Sequence, residues 1–122
     1  MDVRKKTDSI IIHCAATKPT MDIGYKEIRT WHVDQNGWDD VGYHYIIRRN
    51  GKYEKGRPEG YSGAHAPSYN GRSIGICLVG GMAEDGGPEN NFTLEQFLTL
   101  KDLYVSFEAW ILPLSCEGRS FI

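Results

Sequence analysis

Asp8-Ser9-Ile10-Ile11-Ile12-His13-Cys14-Ala15-Ala16-Thr17-Lys18-Pro19 is the stretch whose reading decides the fold. It contains an unbroken apolar run, Ile10 to Ile12, in which every residue is β-branched. Such a run forms a strand buried on both faces, as central strands of α/β sheets are. His13 ends the run, is expected at a sheet edge facing a cleft, and is followed by a turn-forming segment that Lys18-Pro19 closes. Ligands of open α/β sheets bind at the carboxyl ends of the strands. A neutral imidazole there suits a metal ligand or an acid/base. From this stretch alone, a half-buried structural histidine with its nitrogens satisfied is the more ordinary reading.

Outward from this strand, Thr17 to Thr20 reads as a turn and Gly24 to Gln35 as a helix. Tyr25, Ile28, Trp31 and His32 share one face of that helix by spacing, and Asn36-Gly37 is its stop signal. Tyr43 to Arg49 reads as a second strand. Asn50-Gly51 predicts a type I′ hairpin turn into a third, antiparallel strand from Lys52 to about Lys55. Residues 56 to 72 are rich in Gly, Pro, Ser and Asn and read as one long surface loop, a feature usually tied to function in a compact domain. Ser73 to Gly80 is a fourth buried strand, followed by a polar loop. A capping box, Thr93-Leu-Glu-Gln96, starts a last helix. Its core stripe is Phe97, Leu100, Tyr104, Phe107 and Ile111, and Pro113 marks its limit.

The length of 122 residues suits one domain with one core. A net charge of −2 gives no reason to expect nucleic acid or an anionic membrane as partner. No apolar run reaches membrane-spanning length. The charged start, Met1 to Asp8, lacks the apolar core of a signal peptide, so synthesis in a cytoplasm is expected. The three cysteines, Cys14, Cys77 and Cys116, form no CxxC pair, which argues against a disulfide framework or a zinc ribbon. Cys14 and Cys77 sit in strand-like runs and read as small buried hydrophobes.

Three features suggest a cleft with a metal or an acid/base pair at strand ends: His13, the Tyr43-His44 pair after Gly42, and His65 in the long loop. Each has a bland alternative. Tyr43 suits a strand-edge aromatic, and His65 a solvated loop residue. His44 alternates with Tyr43 and so reads as packing on the other side. His32, beside Trp31, reads as structural.

These residues lie in segments that follow one another in a known order: His13-Cys-Ala-Ala-Thr-Lys-Pro19, Glu27-Ile-Arg-Thr-Trp-His32, Asp40-Val-Gly-Tyr-His-Tyr45, Gly63-Ala-His65, Tyr69-Asn70, Ser73-Ile-Gly-Ile-Cys-Leu-Val-Gly-Gly81 and Asn91-Phe-Thr93. Together they resemble the type 2 N-acetylmuramoyl-L-alanine amidases, in the branch of the T7 lysozyme-like phage endolysins, with peptidoglycan recognition proteins as distant relatives. The resemblance implies an α/β fold, a mixed β-sheet flanked by helices. It implies a zinc hydrolase that cuts the amide between N-acetylmuramic acid and L-alanine, with peptidoglycan or muropeptide as partner. Such an enzyme would act on the cell wall after release from the host cytoplasm. It implies that His13 is a zinc ligand, that Tyr43 is the catalytic tyrosine, and that His65 lines the substrate cleft. Some phage lysozymes of this type also bind an RNA polymerase, which makes a polymerase a further implied partner.

The chain departs from the family pattern after the last helix. The family places a second histidine and a Cys-Pro there, and both complete the zinc site. No histidine follows His65 in this sequence, and Cys116 lacks the proline. The ligand role is therefore not carried onto Cys116. The expected organisation is an amidase-like domain over residues 8 to 112 and an off-pattern tail over 113 to 122, with the C-terminal part of the fold lacking. Two readings follow: an amidase that needs the missing ligands, or a non-catalytic module that grips muropeptide.

Overall fold

The computed structural model describes residues 1–107 and, as backbone, 110–115. Strand β1 (Ser9–Cys14) is buried along its whole length, as its β-branched run predicts. It pairs in parallel with β4 (Ser73–Leu78), placing Ile10 against Ile74, Ile12 against Ile76 and His13 against Cys77. Strand β2 (Tyr45–Ile47) flanks β4 on its other side, also in parallel, and β3 (Tyr53–Lys55) pairs antiparallel with β2 at the edge. Strand β5 (Trp110–Ser115) pairs in parallel with β1. The sheet order is thus β3-β2-β4-β1-β5, a mixed sheet with β4 at its centre.

The two-residue period of the strands divides the core into two layers. One face carries Ile10, Ile12, Tyr45, Ile47, Ile74, Ile76 and Leu78, covered by Leu100, Leu103 and Tyr104 of the last helix and by Phe107 just beyond it. The other carries Ile46, Cys77 and Val79, covered by Ile23, Ile28, Val41, Tyr25 and Trp31. Helix α1 (Tyr25–Arg29) covers this second face and runs on into a π-helical turn, Thr30–Gln35. Helix α2 (Leu94–Tyr104) covers the first face and begins with the predicted capping box of Thr93 and Gln96.

Four expectations are corrected. The hairpin turn is not type I′: of Asn50 and Gly51, only Gly51 has a positive φ, of 87°. The Gly51 amide donates to the Arg48 carbonyl and the Lys52 amide to the Asn50 side chain, a longer turn closed by a left-handed glycine. The last helix ends at Tyr104, and Ile111 and Pro113 belong to β5. The β1–β5 register shifts between Ile11 and His13, opposite Pro113, which has no N–H to give the ladder. Phe97 is 42% exposed and belongs to no core stripe. Finally, β1 lies between β4 and β5, so His13 is not at a sheet edge. Cys14 and Cys77 are buried, as expected, while Cys116 lies outside the described residues.

Candidate functional site

The site face of β4 is read from every second residue: Ser73, Gly75 and Cys77. Gly75 is the key to the geometry. A Cβ there would lie 2.6 Å from Cδ2 and Cγ of the His65 ring. The missing side chain makes a slot in the sheet surface, and the His65 imidazole fills it. The loop carrying His65 is held from inside: the Asn70 side-chain oxygen accepts from the amides of His65, at 3.0 Å, and Ala66, at 2.9 Å.

His13 stands on the same face, one strand over, and its Nε2 lies 2.9 Å from His65 Nδ1. Ser73 Oγ lies 3.3 Å from His65 Nε2 on the other side of that ring. The Tyr43 ring sits beside His13 with centroids 5.3 Å apart. The structure therefore brings His13, Tyr43 and His65 together. The cluster lies over the sheet face as well as at the strand end.

The expected separation of His44 from Tyr43 does not hold. Strand β2 starts only at Tyr45, so the two-residue alternation does not reach back to Tyr43. His44 stands beside His65, ring centroids 5.8 Å apart, while Tyr43 faces His13 and His32. The structural role expected of His44 is visible in its nitrogens. Nδ1 accepts from the Gly75 amide at 3.0 Å, and Nε2 meets the Tyr61 carbonyl at 2.8 Å. His32 Nδ1 accepts from the Gly42 amide and its ring packs on Trp38, so it orders the segment before Tyr43.

Arg57 was not singled out by sequence reasoning. Its buried guanidinium donates to three backbone carbonyls: Val41 at 3.0 Å, Ser62 at 3.0 Å and Asp40 at 3.2 Å. It ties the segment leading to Tyr43 to the segment leading to His65. Ser73 was also missed. The only signal for either was position, a charge and a hydroxyl bordering the long loop.

Burial sets the electrostatics. It lowers the His13 pKa to about 4, and drives His65 well below the usual imidazole range, helped by its imidazole neighbours and Arg57. All three clustered histidines are therefore neutral at pH 7. Burial also raises Tyr43 well above the usual phenol range, so it remains a proton donor.

A catalytic zinc takes three protein ligands and one exchangeable position. Among the described residues no three His, Cys, Asp or Glu side chains converge on a point that could hold a metal ion. Both nitrogens of His44 meet backbone groups, and both of His65 meet side chains. His13 Nδ1 is what the cluster has left to offer. The described residues thus do not fit a complete zinc site.

Comparison with known proteins shows the family and the fold. The family described as N-acetylmuramoyl-L-alanine amidase matches residues 3–107. An endolysin of Klebsiella phage KP32 is 51% identical over 105 residues, covering 86% of this chain and 69% of the phage protein. An endolysin of Escherichia phage T7 is 51% identical over 106 residues, 87% of this chain and 70% of that protein. Among solved structures, the N-acetylmuramoyl-L-alanine amidase LysC from Clostridium intestinale superposes with a TM-score of 0.70 at 28% identity. That superposition covers 87% of this chain and 69% of the clostridial one.

Proposed function

The chain belongs to the N-acetylmuramoyl-L-alanine amidase family, and on that premise we propose that its histidine face is a muropeptide-binding site, with His13 and Tyr43 at the scissile amide and His65 lining the cleft. The observation that carries this reading is the His13–His65 contact of 2.9 Å, with the Tyr43 ring against His13. Neutral imidazoles and a protonated phenol recognise an amide from both sides, through an acceptor nitrogen and a donor hydroxyl. In this role the Tyr43 hydroxyl donates to the substrate carbonyl, where a donor stabilises developing negative charge.

Zinc, when bound in this family, would activate the attacking water and polarise the carbonyl. His13 is the residue here suited to ligate it. Among the described residues the ligand count favours binding over turnover.

The test is retention of the protein on purified peptidoglycan, paired with release of L-alanine amino termini. The reading expects retention that weakens at least tenfold in His65→Ala and Tyr43→Phe, with amine release near the blank. Equal retention of both variants and the parent chain would overturn the assignment of the site.

A further inference from the structure

The hydrogen bonds around His65 have a direction, and it can be worked out from one end. Ser73 Oγ lies 2.7 Å from the Tyr69 carbonyl oxygen, which can only accept. The single hydroxyl proton therefore points to Tyr69. Ser73 Oγ is left with lone pairs toward His65 Nε2, 3.3 Å away, so that nitrogen carries a proton. A neutral imidazole holds one N–H, so His65 Nδ1 is an acceptor. His13 Nε2, 2.9 Å from it, must then be the donor. A second proton on His65 would set two N–H groups against each other or force His13 into the other tautomer.

We infer that Ser73 and His65 are positioning residues, forming a one-way hydrogen-bond chain that holds His13 as its Nε2–H tautomer and presents its Nδ1 lone pair to the ligand. This rests on the reading of His13 as a site residue. It adds what that reading leaves open: which nitrogen acts, and what fixes it. The chain runs from His13 through His65 and Ser73 to the Tyr69 carbonyl. Gly75 supports it from below by leaving the slot for the His65 ring. The ligand group it selects is an electron-pair acceptor, such as the N–H of an amide. A carbonyl oxygen at Nδ1 would meet a lone pair.

The measurement is a long-range proton–nitrogen correlation spectrum of the protein labelled with ¹⁵N-histidine, recorded above pH 7. His13 and His65 should each show the pure Nε2–H pattern. In Ser73→Ala the acceptor for His65 Nε2–H is gone, and both rings should shift together to tautomer mixtures. Ser73→Thr, which keeps the hydroxyl, should restore the parent pattern. His44, fixed by the Gly75 amide and the Tyr61 carbonyl, should remain Nε2–H throughout and reports an intact sheet. A parent spectrum with His13 as Nδ1–H overturns the proposal whatever the variants do. So does a Ser73→Ala spectrum in which both rings keep the parent pattern. Failure of the protein to bind peptidoglycan, with these tautomers intact, would defeat the functional reading and leave this one standing.

Discussion

At the scale of the residue, the site depends on an absence. Gly75→Ala would place a methyl group 2.6 Å from the His65 ring. The ring must leave its slot, and overpacking of this kind costs about 1–3 kcal/mol. Denaturant unfolding should report that loss, and the His13–His65 contact should be lost with it. Gly75→Ala with parental stability would show that the slot is not filled as described. The buried histidines also set a pH response. His13 ordinarily titrates near 6.5 but near 4 when folded. The folded state therefore binds fewer protons between those values than the unfolded state does. Stability is complete above about pH 6.5 and falls as pH drops toward 4, by about 3 kcal/mol from His13. His65 and His44 act in the same direction. Thermal unfolding across this range should show a falling midpoint on acidification, and a His13→Asn variant should flatten it.

His13 was legible in the sequence because a polar residue at the end of a β-branched run stands out. Ser73 and Arg57 were not, since a serine or an arginine near a loop is ordinary until its partners are known. The role of His44 was legible, but its side of the sheet was not. Alternation applies only inside a strand, and the strand begins one residue after it.

At the scale of the element, the start of helix α2 is hydrogen-bonded to the sheet by the buried Gln96 side chain. Gln96 Oε1 accepts from the Thr93 amide, while Nε2 donates to the carbonyls of Ile47, at 3.1 Å, and Val79, at 2.7 Å. The helix start is thus fixed to β2 and to the end of β4. Replacing Gln96 by Met keeps the volume but leaves buried polar groups short of partners, a loss of about 2–3 kcal/mol. Urea unfolding should show it, with little change in the tautomers of the site, which lies on the opposite face. The capping box was legible because its spacing is local. Strand β5 was not, because a run such as Trp110-Ile-Leu112 fits a helix stripe or a strand equally well. Only pairing with β1 decides between them. The hairpin was legible as a hairpin from Asn50-Gly51. Its turn type was not, because one left-handed glycine satisfies more than one turn.

At the scale of the whole molecule, the fold and the family agree while the metal chemistry stands apart. The sheet order, the two covered faces and the histidine cluster belong to an amidase domain. Among the described residues, however, no three His, Cys, Asp or Glu side chains come together to hold a metal ion, whereas a catalytic zinc takes three protein ligands. On that ligand set weak metal binding is expected, because affinity follows ligand number and geometry. The most direct measurement is release of L-alanine amino termini from purified cell walls by the 122-residue protein, with zinc added and with a chelator. The account predicts release near the blank in both, with the protein still retained on the walls through His65 and Tyr43. Robust release that a chelator abolishes, and that His13→Ala also abolishes, would contradict it.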